Sequence, residues 1–178
     1  VVTTIEELLA LPYDGMRHEL LDGEHVVTPA PSLPHQVVLQ RLHDALRPAV
    51  AAVEGVELLW SPADIHLGPR TLVQPDLFIV QLAHVGLRAA WKEVPPPMLA
   101  AEVLSPSTAA RDRGTKRRIY LGAGVEEVWI VDIDAHLIER WRRGDTRPEM
   151  ADAELEWALT CGISGAVSVA ELFTGLGG

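Results

Sequence analysis

Met98-Leu99-Ala100-Ala101-Glu102-Val103-Leu104, followed by Ser105-Pro106-Ser107-Thr108, is the stretch from which the fold is read. A run this apolar, with Glu102 as its one polar side chain, describes a strand buried on both faces. Ser105–Thr108 stops that strand and can cap a helix over residues 109–122, which ends at Gly122 or Gly124. Val128-Trp129-Ile130-Val131 reads as the next central strand, and residues 136–143 are placed to pair back with it. Strand, helix and strand in that order imply a sheet with a helix packed on its face.

The same reading extends toward the N-terminus. Thr4-Ile5-Glu6-Glu7-Leu8-Leu9 predicts a short helix capped by Thr3 or Thr4, with acids in its first turn. Residues 18–27 predict a hairpin, because Asp22-Gly23 between apolar runs is a two-residue turn signal. Val38, Leu42, Leu46, Ala49 and Val53 recur at three- and four-residue steps and predict the longest helix, with Pro48 expected to kink or restart it. Strands are expected at 56–66 and, beyond the Gly68-Pro69 turn, at 72–81. A weaker strand near 155–160 and a short helix near 168–173 complete the chain. This order predicts one mixed α/β domain over residues 1–178, a central mixed β-sheet flanked by helices.

Composition narrows the function classes. A single cysteine, Cys161, excludes an internal disulfide and a multi-cysteine zinc site, as suits a reducing cytosol. The N-terminus has no signal-peptide pattern, and no apolar stretch is long enough to span a membrane. A cytoplasmic, non-membrane protein is therefore expected. The net charge of −10 opposes broad nucleic-acid binding, which rests on Lys and Arg neutralising phosphates, but a locally basic groove or bound metal ions would permit phosphate chemistry. Thirteen of the fifteen basic residues are Arg, which directs attention to the two lysines, Lys92 and Lys116.

Three patterns carry chemistry. Glu102 lies inside an apolar strand, and Asp76 inside Gln74-Pro75-Asp76-Leu77-Phe78-Ile79-Val80. An unpaired buried carboxylate costs several kcal/mol, so each needs a proton, an arginine or a metal. Two such acids together suit a hard cation like Mg²⁺, although each alone is better read as the partner of an arginine or the polar end of a strand. Asp112, Lys116 and Tyr120 follow at i, i+4 and i+8 on one helix face, beside a basic row of Arg113 and Arg117 joined by Arg111 and Arg118. A solvated helix face with an Asp–Lys pair is the plain alternative.

In order, His18-Glu19-Leu20-Leu21-Asp22-Gly23-Glu24, His35-Gln36, Pro75-Asp76-Leu77, Ala101-Glu102-Val103-Leu104-Ser105-Pro106-Ser107-Thr108, Asp112…Lys116…Tyr120 and Glu127-Val128-Trp129-Ile130-Val131-Asp132 cover roughly residues 5–145. This ordered set resembles the Uma-type family of bacterial restriction-endonuclease-like proteins, within the PD-(D/E)XK nuclease superfamily. The resemblance implies a restriction-endonuclease-like core in which Asp76 and Glu102 hold Mg²⁺ or Mn²⁺, with the Val103 carbonyl as a further ligand. The superfamily's lysine normally sits two residues after the second acid, where this chain has Leu104. Lys116 is the implied replacement. Glu19 is implied as a further acid of the site, with His35 facing the same cleft.

The resulting expectation is metal-dependent phosphodiester hydrolysis, on DNA, by a homodimer. Asp76, Glu102 and the metal would activate water, Lys116 would orient it or stabilise charge, and Tyr120, Arg113 and Arg117 would contact substrate. Two other readings stay open: a catalytically weak nuclease-fold module that binds nucleic acid or acts structurally, and a metal-dependent hydrolase of small phosphate esters. Trp129, Trp60 and Trp141 are expected in strands, Trp129 as core, which leaves Trp91 as the surface-contact candidate.

Overall fold

The computed structural model describes residues 1–176; Gly177 and Gly178, the end of the predicted 1–178 domain, lie outside the described residues. Helix α1 (Ile5–Leu9) is capped by Thr4, whose side chain accepts from the Glu7 N–H while the Glu7 carboxylate accepts from the Thr4 N–H. Strands β1 (Arg17–Leu21) and β2 (Glu24–Thr28) form the hairpin. Both turn residues take positive φ, Asp22 at 54° and Gly23 at 91°, as a twisted two-residue hairpin requires. Helix α2 (Leu33–Val50) buries Val38, Leu42 and Leu46. It runs unbroken through Pro48, which falls in its last turn, so the expected restart is absent: little helix remains beyond the bond that proline lacks.

The predicted strands 56–66 and 72–81 are each two strands in different sheets. β3 (Val56–Trp60) and β6 (Leu77–Gln81) pair in a large sheet; β4 (Ile65–Gly68) and β5 (Thr71–Val73) pair in a small one. The chain changes sheet at Ser61-Pro62 and again at Gln74-Pro75, where proline cannot donate to a ladder. The two crossings are tied together, the Ser61 hydroxyl donating to the Pro75 carbonyl and the Ser61 N–H to that of Asp76.

Strand β7 (Leu99–Val103) is followed by a helical segment of three parts: α3 (Ala109–Arg111), a π-helical turn (Asp112–Lys116) and α4 (Arg117–Gly122). This crossover leads to β8 (Glu127–Asp132), parallel to β7, and β9 (Leu137–Arg142) returns antiparallel. The large sheet has the order β10-β9-β8-β7-β6-β3, with β10 (Glu149–Ala151) on its edge. The small sheet has the order β2-β1-β5-β4. A separate hairpin, β11 (Glu154–Ala158) and β12 (Ser164–Ser168), precedes α5 (Val169–Leu172). The result is a mixed α/β fold with a central mixed sheet flanked by helices, consistent with a restriction-endonuclease-like core.

Strand parity separates the core into layers. Leu77 and Ile79 of β6, Leu99 and Ala101 of β7, and Trp129 of β8 pack with α2 and the β11–β12 hairpin. Phe78, Val80, Ala100, Val128 and Ile130 point the other way, toward Leu21, Val26, Ile65 and Val73 of the small sheet and Tyr120 of α4. Helix α1 closes the outer face of the small sheet over Leu20 and Leu72.

Candidate functional site

The second of those layers contains the acids. Glu102 has the parity of Ala100, and Asp76, one residue before β6, has the parity of Phe78. The β6–β7 register sets Leu77 opposite Ala101, and one further step brings Asp76 beside Glu102. Glu19 shares parity with Leu21 and meets them from the small sheet. The π-helical turn approaches from the side with Asp112 and Lys116 both buried. Such turns break the regular helical ladder and recur at functional sites.

Lys116 is fully buried, its Nζ 2.7 Å from Glu102 Oε1 and 2.8 Å from Glu19 Oε1. These are close ion pairs. The Tyr120 hydroxyl donates to Glu102 Oε1 at 2.5 Å, and the Gln74 N–H donates to Glu19 Oε1 at 2.7 Å. Asp76 is engaged at both oxygens. Arg17 Nη1 donates to Oδ1 at 2.6 Å, the Val103 N–H donates to Oδ2 at 2.9 Å, and His35 Nε2 stands 3.1 Å from Oδ2. Glu102 Oε2 and Glu19 Oε2 are buried without a hydrogen-bond partner.

The electrostatics divide the two strand acids. Burial would raise Asp76, but the contacts with His35 and Arg17 and the charge of Lys116 hold it well below the usual carboxylate range. Burial pushes Glu102 up to about 8 against the pull of Lys116, with Asp76 and Asp112 adding like-charge repulsion. Asp112 is raised by burial as well. Burial alone would lower Lys116, yet Glu102, Glu19 and Asp112 together raise it.

Glu19, His35, Asp76, Glu102, Lys116 and Tyr120, all singled out from sequence, are thus brought together. Leu104 lies in the apolar cluster, while Lys116 meets Glu102 from the helix. Val103 touches Asp76 through its N–H. Arg113 and Arg117 are not brought to the acids. Arg113 is bound by Asp132 and Glu139, and Arg117 stacks over the Trp141 ring at 3.8 Å while donating to the Arg113 carbonyl. Their guanidinium groups are occupied in fixing the helix to β8 and β9. Trp91 is 38% exposed, yet packs edge-on against Phe78. Arg17 was missed. The signal was available, since Arg17 and Glu19 are two residues apart on one strand and so share a face.

Among the described residues, no group of three or more His, Cys, Asp or Glu side chains stands in an arrangement that could hold a metal ion. The unpartnered oxygens of Glu102 and Glu19 are hard donors that fit Mg²⁺ or Mn²⁺. Asp76 fits only if a protein cation leaves it. No helix of the described residues is long and apolar enough to cross a membrane.

The mixed sheet and its crossover place this chain among nuclease-fold proteins. It belongs to the Uma2 family, described as "Putative restriction endonuclease", whose model matches residues 5–167. A crystal structure from Anabaena variabilis, described as "a putative nuclease belonging to DUF820", superposes with a TM-score of 0.79 at 18% identity, covering 96% of this chain and 97% of that one. At that identity the likeness establishes the fold. None of the curated proteins matches the chain.

Proposed function

We propose that the chain is a nuclease-fold, nucleic-acid-binding module of the PD-(D/E)XK type whose acidic centre rests neutralised by its own cations and turns over weakly. One observation carries this reading: Asp76 is held by Arg17 and His35, and Glu102 and Glu19 are held by Lys116, so the centre is compensated from within. A divalent cation must displace one of these groups before it meets both strand acids. The family match supports a phosphodiester partner, DNA in the first instance.

A second reading, a Mg²⁺- or Mn²⁺-dependent endonuclease, is favoured by two buried carboxylate oxygens without hydrogen-bond partners, Glu102 Oε2 and Glu19 Oε2. Asp76 and Glu102 would hold the ion, with the Val103 backbone adjoining and Glu19 as a further acid of the site, and the ion would lower the pKa of bound water. Lys116 would hold charge close to Glu102, and Tyr120 would fix the orientation of that carboxylate. A third reading, hydrolysis of small phosphate esters, is favoured by the net charge of −10, which does not handicap a small substrate.

The deciding experiment has two arms on the whole 1–178 chain, taken as one functional unit. Binding of labelled single- and double-stranded oligonucleotides is measured in EDTA. Cleavage by wild type, Asp76→Ala and Lys116→Ala is then compared with Mg²⁺ or Mn²⁺. Micromolar binding with slow or absent cleavage is expected. Rapid cleavage lost in both variants would move the assignment to the endonuclease, and activity on nucleotides alone would select the third reading. Gel filtration of the same samples tests the proposed homodimer, and fractionation of expressing cells tests the cytoplasmic location.

A further inference from the structure

We propose that strand β2 is the face through which two copies of this chain pair edge to edge, joining their four-stranded sheets into one. This names the interface of the homodimer put forward above and does not depend on turnover at the acidic centre. β2 is an outermost strand of the small sheet, so one row of its backbone groups has no ladder partner there. The turn decides which residues carry that row. Asp22-Gly23 closes the hairpin in two residues, which makes Leu21 and Glu24 a hydrogen-bonded pair, and antiparallel pairs alternate from there. Glu24, Val26 and Thr28 therefore turn their N–H and C=O groups to β1, while those of His25 and Val27 point outward. The His18 carbonyl, opposite Val27, accordingly faces away from β2 and accepts from Gln74 Nε2.

Antiparallel pairing about Val26 uses both outward residues. His25 lies opposite the second copy's Val27, and Val27 opposite its His25, each pair exchanging backbone hydrogen bonds. The same register sets Glu24 opposite the second copy's Thr28. Arg111 Nη1 donates to Thr28 Oγ1 at 3.4 Å, and among the described residues no carboxylate stands in ion-pair range of Arg111. Glu24 is exposed and equally unpaired. Directly opposed side chains stand about 5 Å apart, so each Glu24 meets the other copy's Arg111. Val27, 42% exposed on the opposite face of the strand, is covered by the second copy's His25. This match of charges is needed, because a net charge of −10 otherwise keeps copies apart. The other sheet edges lack it. β10 is three residues long, β4 is packed by the turn at Trp91–Glu93, and the one charge of β3, Glu57, meets no cation on a second β3. Glu19 lies opposite Val26, so the pairing sets the two acidic centres on one continuous sheet.

Sedimentation velocity of the whole chain, from micromolar to hundred-micromolar concentration, tests the interface. Wild type is expected to sediment as a dimer. Glu24→Arg and Arg111→Glu each bring like charges together and should weaken association by about tenfold or more, while the double variant Glu24→Arg/Arg111→Glu restores it. Val27→Pro removes an outward N–H that the hairpin does not use, and should give a monomer whose circular dichroism matches wild type. If that variant unfolds, Val27→Lys, a charge on the same edge, takes its place. A dimer that survives the edge variant overturns this interface and leaves the homodimer standing, whereas a wild-type monomer throughout overturns both. Failure of the double variant to recover overturns the register. Oligonucleotide binding in EDTA measures the module reading separately.

Discussion

Replacing Lys116 by Met keeps the stem of a fully buried side chain and removes its charge. Glu102 Oε1 and Glu19 Oε1, at 2.7 and 2.8 Å, lose their shared counter-ion in a region without solvent. Where Glu102 is ionised, removing its partner in this buried ion pair costs ~3–5 kcal/mol, because the remaining charge stays buried. With a urea dependence of ~2 kcal/mol per molar, the unfolding midpoint should fall by ~1.5–2.5 M. The penalty should depend on pH. Glu102 has a folded pKa of about 8 against an ordinary 4.5, so between those values the folded state keeps a proton that the unfolded state has released, and stability falls as pH rises through that window. Without Lys116 the folded value rises further, and the window extends upward. The variant should therefore approach wild type at about pH 5 and diverge most above about pH 8. Urea unfolding followed by circular dichroism at several pH values measures this. A midpoint unchanged above about pH 8, or a penalty that does not vary with pH, refutes the reasoning. The double variant Glu102→Gln/Lys116→Met should recover ~1 kcal/mol or more relative to additivity.

Other consequences follow from the same contacts. Metal binding at Glu102 requires its ionised form, so Mg²⁺ affinity should rise up to about tenfold per pH unit below pH 8 and level off above it, with proton release seen by calorimetry in two buffers; pH-independent affinity would contradict this. Arg113→Ala removes contacts to Asp132 and Glu139 from a partly exposed arginine and should cost ~1 kcal/mol or less, leaving oligonucleotide affinity unchanged; a marked loss of affinity would show that its guanidinium reaches phosphate. Gly23→Ala places a Cβ at φ 91° against the Arg70 guanidinium and should lower Tm by ~2–4 °C, which a thermal melt can reject.

Most of this architecture was legible because its determinants are local. The hairpin at Asp22-Gly23, the α2 stripe, the apolar β7 and β8, and the crossover between them each follow from periodicity or turn chemistry. Reading residues 56–66 and 72–81 as single strands failed where Pro62 and Pro75 move the chain between sheets. Both segments carry apolar residues before and after the proline, so hydrophobic pattern alone did not mark the change. β10 and β12 were not foreseen; the burial of Ser164–Ser168 varies along the strand and Glu149–Ala151 is mostly exposed, so neither is a strong apolar run. The site was legible as a residue list and illegible as a circuit. Lys116 was identified, yet nothing in the i, i+4 spacing indicates a π-helical turn, because that depends on how the crossover fits over the sheet.

The convergence of these departures is itself an argument about function. Glu19, Asp76, Glu102, Asp112 and Lys116 are each an ionisable group at a buried position, and the π-helical turn is a local irregularity at the same place. Well-packed apolar residues of similar volume are often as stable as a buried ionic cluster, or more so. Stability alone therefore gives no reason to keep five ionisable side chains in the layer between two sheets. Sequences tend to violate local rules where a site requires it. The two sheets, tied together where the chain crosses at Ser61-Pro62 and Gln74-Pro75, hold Glu19 opposite Asp76 and Glu102, and the crossover helix inserts Lys116 among them. A fold that needed only a core could have placed leucine at Lys116, as it does at Leu104. Leu104 joins the apolar cluster while the helix delivers the charge, so the geometry separates packing at the strand end from electrostatic control of the acids.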